Sequence, residues 1–154
     1  MSDEEKAKAR KLAAQKRARI MQQISILQGQ LSDLKAQKQE LEKQLEEIEE
    51  FTSTFNSQFE SCKSGFESIG SCVEGIKYDH SSIDTSLKNL ASINSGISEI
   101  TSKTTKAMDS KKANIDDKAK KKEREIEDKI DELTKKINNI ESQISSLRAS
   151  LGAI

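Results

Sequence analysis

The sequence predicts an all-α protein, a long antiparallel helical hairpin or coiled coil. Three observations predict it: an apolar heptad that runs through most of the chain, the absence of proline, and a composition of 34% charged but only 3% aromatic residues. So few large apolar side chains cannot fill a broad core, but they can fill a narrow seam between helices. With no proline and six glycines in 154 residues, little in the chain forces a helix to stop.

The first element is a helical arm over residues 1–77. Stepping by four and three from Ile20 through Ile24, Leu27 and Leu31 to Ile76 gives seventeen positions, fifteen of them apolar, against 33% for the whole chain. A seam held that long marks a coiled coil or a long bundle helix, and it excludes disorder for this half. On this reading the seam passes through Phe55, Phe59, Cys62, Phe66, Ile69 and Val73. Cys62 and Cys72 are ten residues apart, about 15 Å of helical rise, too far for a disulfide. They read as small buried hydrophobes in a reducing compartment. Protein kept without reductant is therefore expected to form no intramolecular Cys62–Cys72 bridge, which mass spectrometry of the monomer would check.

The second arm covers residues 83–154. Ile126, Ile130, Leu133, Ile137, Ile140, Ile144, Leu147, Leu151 and Ile154 are apolar at every step. Nearer its start, Ile83, Leu87, Leu90, Ile93, Ile97 and Ile100 keep helical spacing among serines and threonines. The register then slips in "DSKKANIDDKAKKKERE", as at a local unwinding or a break. A rival four-helix reading places breaks near Thr52–Thr54 and near Asp109.

Between the arms, residues 78–82 form the expected turn. "GIKYD" carries a glycine and a lysine suited to a helix end, and "SSID" offers Ser81 or Ser82 as an N-cap with Asp84 following. Tyr78 and His80, the only residues of their kinds, then sit at a tip with no pocket for catalysis. With the tip at 79–80, residue i faces about residue 159 minus i, which sets the acidic segment 39–50 beside the basic segment 109–120. Each arm of about 75 residues would extend roughly 110 Å, and small-angle scattering is the check. Circular dichroism is expected to show mostly helix; a helix content below half would contradict the hairpin.

Charge and motifs narrow the function. With 26 basic and 26 acidic residues, global charge recruits neither nucleic acid nor membrane. The basic run from Lys6 to Arg19 follows Asp3, Glu4 and Glu5 and has no aromatic residues interleaved, so it reads as a solvated helix end. No apolar run is long enough for a membrane span, and the N-terminus lacks the apolar core of a signal peptide. No phosphate loop, nucleophile triad or metal-ligand cluster is written in the chain. The expectation is a protein that is not an enzyme and takes no cofactor or metal.

What remains is an interaction surface. Residues 51–102 are serine-rich, poor in charge and hold all four phenylalanines. Two helices alone leave part of a Phe seam wet, and the serines and glycines near it admit another helix closely. Phe51, Phe55, Phe59, Phe66, Ile69 and Val73 are therefore the expected partner-binding residues, completing a helical bundle with a partner or a second copy.

A proline-free helical hairpin with a Leu/Ile heptad arm, "ISILQGQLSDLKAQKQELEKQLEEIEEF", and a Ser/Gly/Phe middle resembles the small α-helical partner proteins of Gram-positive type VII secretion, in particular the YwqH-like proteins associated with LXG toxins. The resemblance lies in length and layout. The Trp-x-Gly turn of the wider family is absent, as is its C-terminal export motif, from "SSLRASLGAI". The resemblance implies a cytoplasmic targeting partner, with export by a route that needs no signal peptide. It would dock on the N-terminal helical domain of an LXG toxin, with a second small helical protein in some assemblies. A structural spacer or self-assembling homo-oligomer is the alternative.

Overall fold

The chain folds as an all-α helical hairpin of two long helices. A computed structural model describes residues 2–80 and 88–154, with side chains described over 2–72 and 92–154. Helix α1 spans Asp3–His80, 78 residues, and α2 spans Lys88–Gly152, 65 residues. Among the described residues there is no strand. The expected N-cap at Ser81 or Ser82 lies outside them.

A capping box starts α1. The Glu5 amide donates to Ser2 Oγ at 3.3 Å, and the Ser2 amide donates back to Glu5 Oε2 at 2.7 Å. This Ser-x-x-Glu reciprocity satisfies amides that a helix N-terminus otherwise leaves open. Neither helix breaks where the four-helix reading required it: α1 is continuous through 52–54 and α2 through Asp109.

The helix also runs further than expected at its other end. Tyr78 and His80 belong to α1 and not to a turn beginning at residue 78. One interior glycine costs a helix only about 1 kcal/mol relative to alanine. With no proline nearby, Gly75 is too weak a signal to end it.

Packing divides the chain into two units, residues 1–46 with 124–154 and residues 47–123. In the first, the expected seam is the observed one. Ile24, Ile126, Leu133, Ile137 and Ile144 are buried, and Ile126 is 2% exposed. Ile20, Leu27, Leu31, Leu34, Leu41 and Leu147 are half-buried beside them. Only Ile154, at the very end of the series, is exposed. Lys35 and Glu141 reach across the pair at 2.9 Å; both are about half exposed, so this ion pair adds at most about 1 kcal/mol.

The second unit, 47–123, departs from expectation in two ways. Its helices pair antiparallel with Phe59 at Lys112, Lys63 at Asp109 and Gly70 at Thr101. Partner numbers thus add to 171 or 172 instead of 159. The basic segment 109–120 consequently lies against the phenylalanines of α1, while acidic residues 39–46 belong to the other unit. The charge match used to set the register was misleading because exposed pairs contribute too little to fix one.

The second departure is a change of face. On α1 the covered positions run Phe55, Phe59, Lys63, Phe66 and Gly70. Two successive steps of four, Phe55 to Phe59 to Lys63, act as a stutter that moves the seam one residue along from the heptad. Cys62 and Ile69 therefore leave the seam and are exposed. Cys72 is exposed as well, so neither cysteine is the buried hydrophobe expected. On α2 the same displacement buries Asn94 and half-buries Ser98, Thr101, Thr105 and Met108, leaving Ile93, Ile97 and Ile100 outside.

Candidate docking face

The candidate docking face lies within the unit 47–123. Its seam is held by unusual contacts for a coiled coil. Phe51 stacks on Phe55 at 5.9 Å between ring centroids, Phe55 meets Phe59 at 6.1 Å, and Lys112 Nζ sits 5.7 Å over the Phe59 ring. Lys112 also donates to Asp116 at 2.7 Å, so its charge is paired while its stem covers the ring. Thr101 and Thr105 donate their hydroxyls to the carbonyls of Ile97 and Thr101, both at 2.9 Å. Returning each hydroxyl to its own helix lets a polar residue occupy a seam. Thr52 Oγ1, Asn56 Oδ1 and Asn94 Nδ2 are buried with no hydrogen-bond partner.

Lys63 donates to Asp109 at 3.0 Å, and this hydrogen bond, with the charge of Asp109 behind it, raises the lysine above its usual value of 10.5. A raised folded-state value means that the pair stabilises fully below the unfolded value and is lost as pH rises through the folded one. Asp109→Asn is thus expected to melt lower than wild type at neutral pH. The gap should close as pH is taken beyond 10.5. A gap independent of alkaline pH would show that the ion pair is not its source.

The expected site residues separate into two groups. Phe59 is buried, and Phe55 and Phe66 are half-buried, in the seam between α1 and α2. Phe51 and Ile69 are exposed by 55% and 51%. The Val73 side chain lies outside the described residues. Phe59→Ala is accordingly expected to cost stability, about 3 kcal/mol for a buried Phe, measured as a shift in the urea midpoint.

The residues that sequence reasoning placed in the seam of α2 are the ones that form the face. In an antiparallel helix pair, the position just before each seam residue falls on the same side of both helices. On α1 those positions include Phe51, Gln58, Cys62, Gly65 and Ile69; on α2 they include Ile93, Ile97, Ile100, Thr104 and Ala107. None is charged. The positions just after the seam include Glu60, Glu67, Glu99, Lys106 and Asp109, and the groove on that side is lined by Glu67, Ser71, Ser102 and Lys106. Over residues 51–69 of α1 and 93–107 of α2 one flank is therefore uncharged and the other charged, and the first reaches Lys111 and Lys118 further along α2. Ile93 and Ile100 are 58% and 66% exposed.

Among the described residues no group of His, Cys, Asp and Glu is arranged to hold a metal ion, and no helix is long and apolar enough to cross a membrane. Searched against protein-family models, curated proteins and solved structures, the chain matches none.

Proposed function

We propose that this protein is a non-enzymatic helical adaptor that takes a helix of another protein on the apolar flank of residues 47–123. The observation that carries this reading is the reversal of the usual pattern. In this unit Asn94, Ser98 and Thr101 occupy the seam while Ile93, Ile97 and Ile100 face outward. Burying an amide in place of an isoleucine is unfavourable for the isolated hairpin. Isoleucines repeating at helical spacing gain their burial when a further helix lies along them.

The layout shared with the small helical partners of type VII secretion supports a specific occupant, the N-terminal helical domain of an LXG toxin. On this reading the protein acts in the cytoplasm, covers the toxin's helical domain and assists its targeting for export. On the same reading a second small helical protein joins the assembly.

The test uses the N-terminal helical domain of an LXG toxin, titrated calorimetrically against wild type and an Ile97→Asp, Ile100→Asp variant. Both positions are exposed, so melting should be unchanged. Affinity should fall by thirtyfold or more, the effect of about 2 kcal/mol typical of a buried interface anchor. Equal affinity for the two proteins would discard the docking face, and no binding by wild type would discard the toxin as partner.

A further inference from the structure

Two lysines stand at one end of the uncharged flank. Lys111 and Lys118 occupy the positions just before the covered residues Lys112 and Ala119, and both are exposed. They lie two turns apart on one side of α2, about 10 Å along the helix. Other lysines of this unit hold a carboxylate. Lys63 reaches Asp109 at 3.0 Å, Lys103 reaches Glu99 at 3.0 Å and Lys112 reaches Asp116 at 2.7 Å. Among the described residues Lys111 and Lys118 make no such pair. The sequence gives the reason. At steps of three and four, where a helical ion pair forms, Lys111 has Ala107, Met108, Asn114 and Ile115, and Lys118 has Asn114, Ile115, Lys121 and Lys122. The facing ridge supplies no acid either. Phe59 with Lys112 and Gly70 with Thr101 both add to 171, which sets Lys111 level with residue 60 and Lys118 level with residue 53. On this side of α1 the residues near those levels are Phe51, Gln58 and Cys62, while Glu60 lies on the other flank. Glu47, the next acid along the ridge, is about 9 Å beyond the level of Lys118.

We infer that the helix taken by this flank is acidic beside its apolar stripe, with carboxylates at heptad spacing set against Lys111 and Lys118. The inference rests on the docking reading of the flank and deepens it by stating the charge of the occupant. Its apolar stripe covers Ile93, Ile97 and Ile100 at one end and continues over Phe51 at the other, all of them exposed on the hairpin. Charges flanking an apolar stripe choose the partner and its register in helix pairs, and a spacing of seven residues matches the repeat of an opposing helix. A basic helix in the same place would set like charges together, which is how an interface rejects a wrong partner. The arrangement also fixes where the occupant lies along the groove. Carboxylates shifted toward Ile93 to Ile100 would lie against aliphatic side chains with no cation to pair them, and desolvating them there is unfavourable. A phosphate backbone would meet the lysines but leave the isoleucines uncovered, so a protein helix is the occupant that uses both.

The probes are two synthetic peptides of about four heptads that share a leucine stripe. They differ only at the positions flanking it, glutamate throughout in one and lysine in the other. Each is titrated calorimetrically against full-length wild type, a Lys111→Glu, Lys118→Glu variant and the Ile97→Asp, Ile100→Asp variant. All of the substituted side chains are exposed, so melting should match wild type. Wild type should prefer the glutamate peptide by about tenfold, the effect of two contacts that change from attraction to repulsion. The Lys111→Glu, Lys118→Glu variant should prefer the lysine peptide instead. In about 1 M salt, where the screening length is about 3 Å, both preferences should fade. The Ile97→Asp, Ile100→Asp variant should weaken both peptides; undiminished binding there would put them elsewhere on the molecule and overturn the inference. Equal affinity of wild type for the two peptides, or a preference for glutamate that survives the lysine substitutions, would also overturn it while leaving the docking face standing. Binding of neither peptide by wild type would overturn both readings. No toxin domain enters these titrations, so the identity of the natural partner is decided by its own experiment.

Discussion

Ile126→Ala is expected to lower stability by about 3 kcal/mol, within the range of about 2–5 for truncating a buried isoleucine. Ile126 is the most completely buried large side chain among those described, at 2% exposure, and it lies in the seam of the unit that holds both chain ends. Its removal leaves a void that two long helices cannot close without shifting their seam. The comparison is Ile100→Ala, on the same helix but 66% exposed. That change should move the midpoint of urea unfolding by no more than about 0.5 kcal/mol. Equal losses from the two substitutions would mean that Ile100 is as buried as Ile126, and the outward stripe would not exist.

Asn94→Leu is expected to stabilise. Asn94 is 7% exposed and its Nδ2 has no hydrogen-bond partner. Leaving a buried donor unpaired costs about 1–3 kcal/mol, and leucine adds apolar burial where a coiled coil normally holds it. The midpoint should rise by about 1–3 kcal/mol, a large effect for one substitution in a marginally stable fold. A buried asparagine can also fix the register of helix pairing, so the leucine variant should show a second pairing in cross-linking. A fall in stability would place residue 94 outside the seam.

The two units differ in how far they could be read from sequence. Around Ile24, Ile126 and Ile144 the heptad and the seam coincide, because leucine or isoleucine holds the seam positions, Lys38 excepted, and leaves no competing face. In residues 47–123 the apolar spacing is visible but looser, among serines and threonines, and Cys62, Ile69, Ile93 and Ile97 are not where the helices meet. Apolar periodicity reports which side of a helix is suited to burial, not which helix will bury it. The displacement had a sequence signal in the repeated step of four from Phe55 to Phe59 to Lys63. It was hidden because Lys63 is a charged residue and reads as surface. In the folded unit its ammonium reaches Asp109 from a seam position.

The register followed a similar course. Tyr78, His80 and Gly75 drew the tip toward residues 78–82 because rare residues and glycine suggest a turn. The pairing of Phe59 with Lys112 and Gly70 with Thr101 gives partner numbers that add to 171 instead of 159. Helix length in a hairpin without proline is set by which pairing buries most, and single turn signals do not override it.

The central claim is that the seam of residues 47–123 passes through Lys63 and Gly70 in place of Cys62 and Ile69, and through Asn94, Ser98 and Thr101 in place of Ile93, Ile97 and Ile100, and an engineered disulfide reads that directly. A Cβ placed on Gly70 comes within 3.6 Å of Thr101 Cγ2, so the two side chains meet across the seam, as the partners of a disulfide must. In a background with Cys62→Ser and Cys72→Ser, the pair Gly70→Cys with Thr101→Cys should close an intrachain bridge under air oxidation. The pair Ile69→Cys with Ile100→Cys, on the exposed flank, should stay reduced within the chain. Closure of the second pair in preference to the first would contradict the account, because the isoleucines would then be the seam.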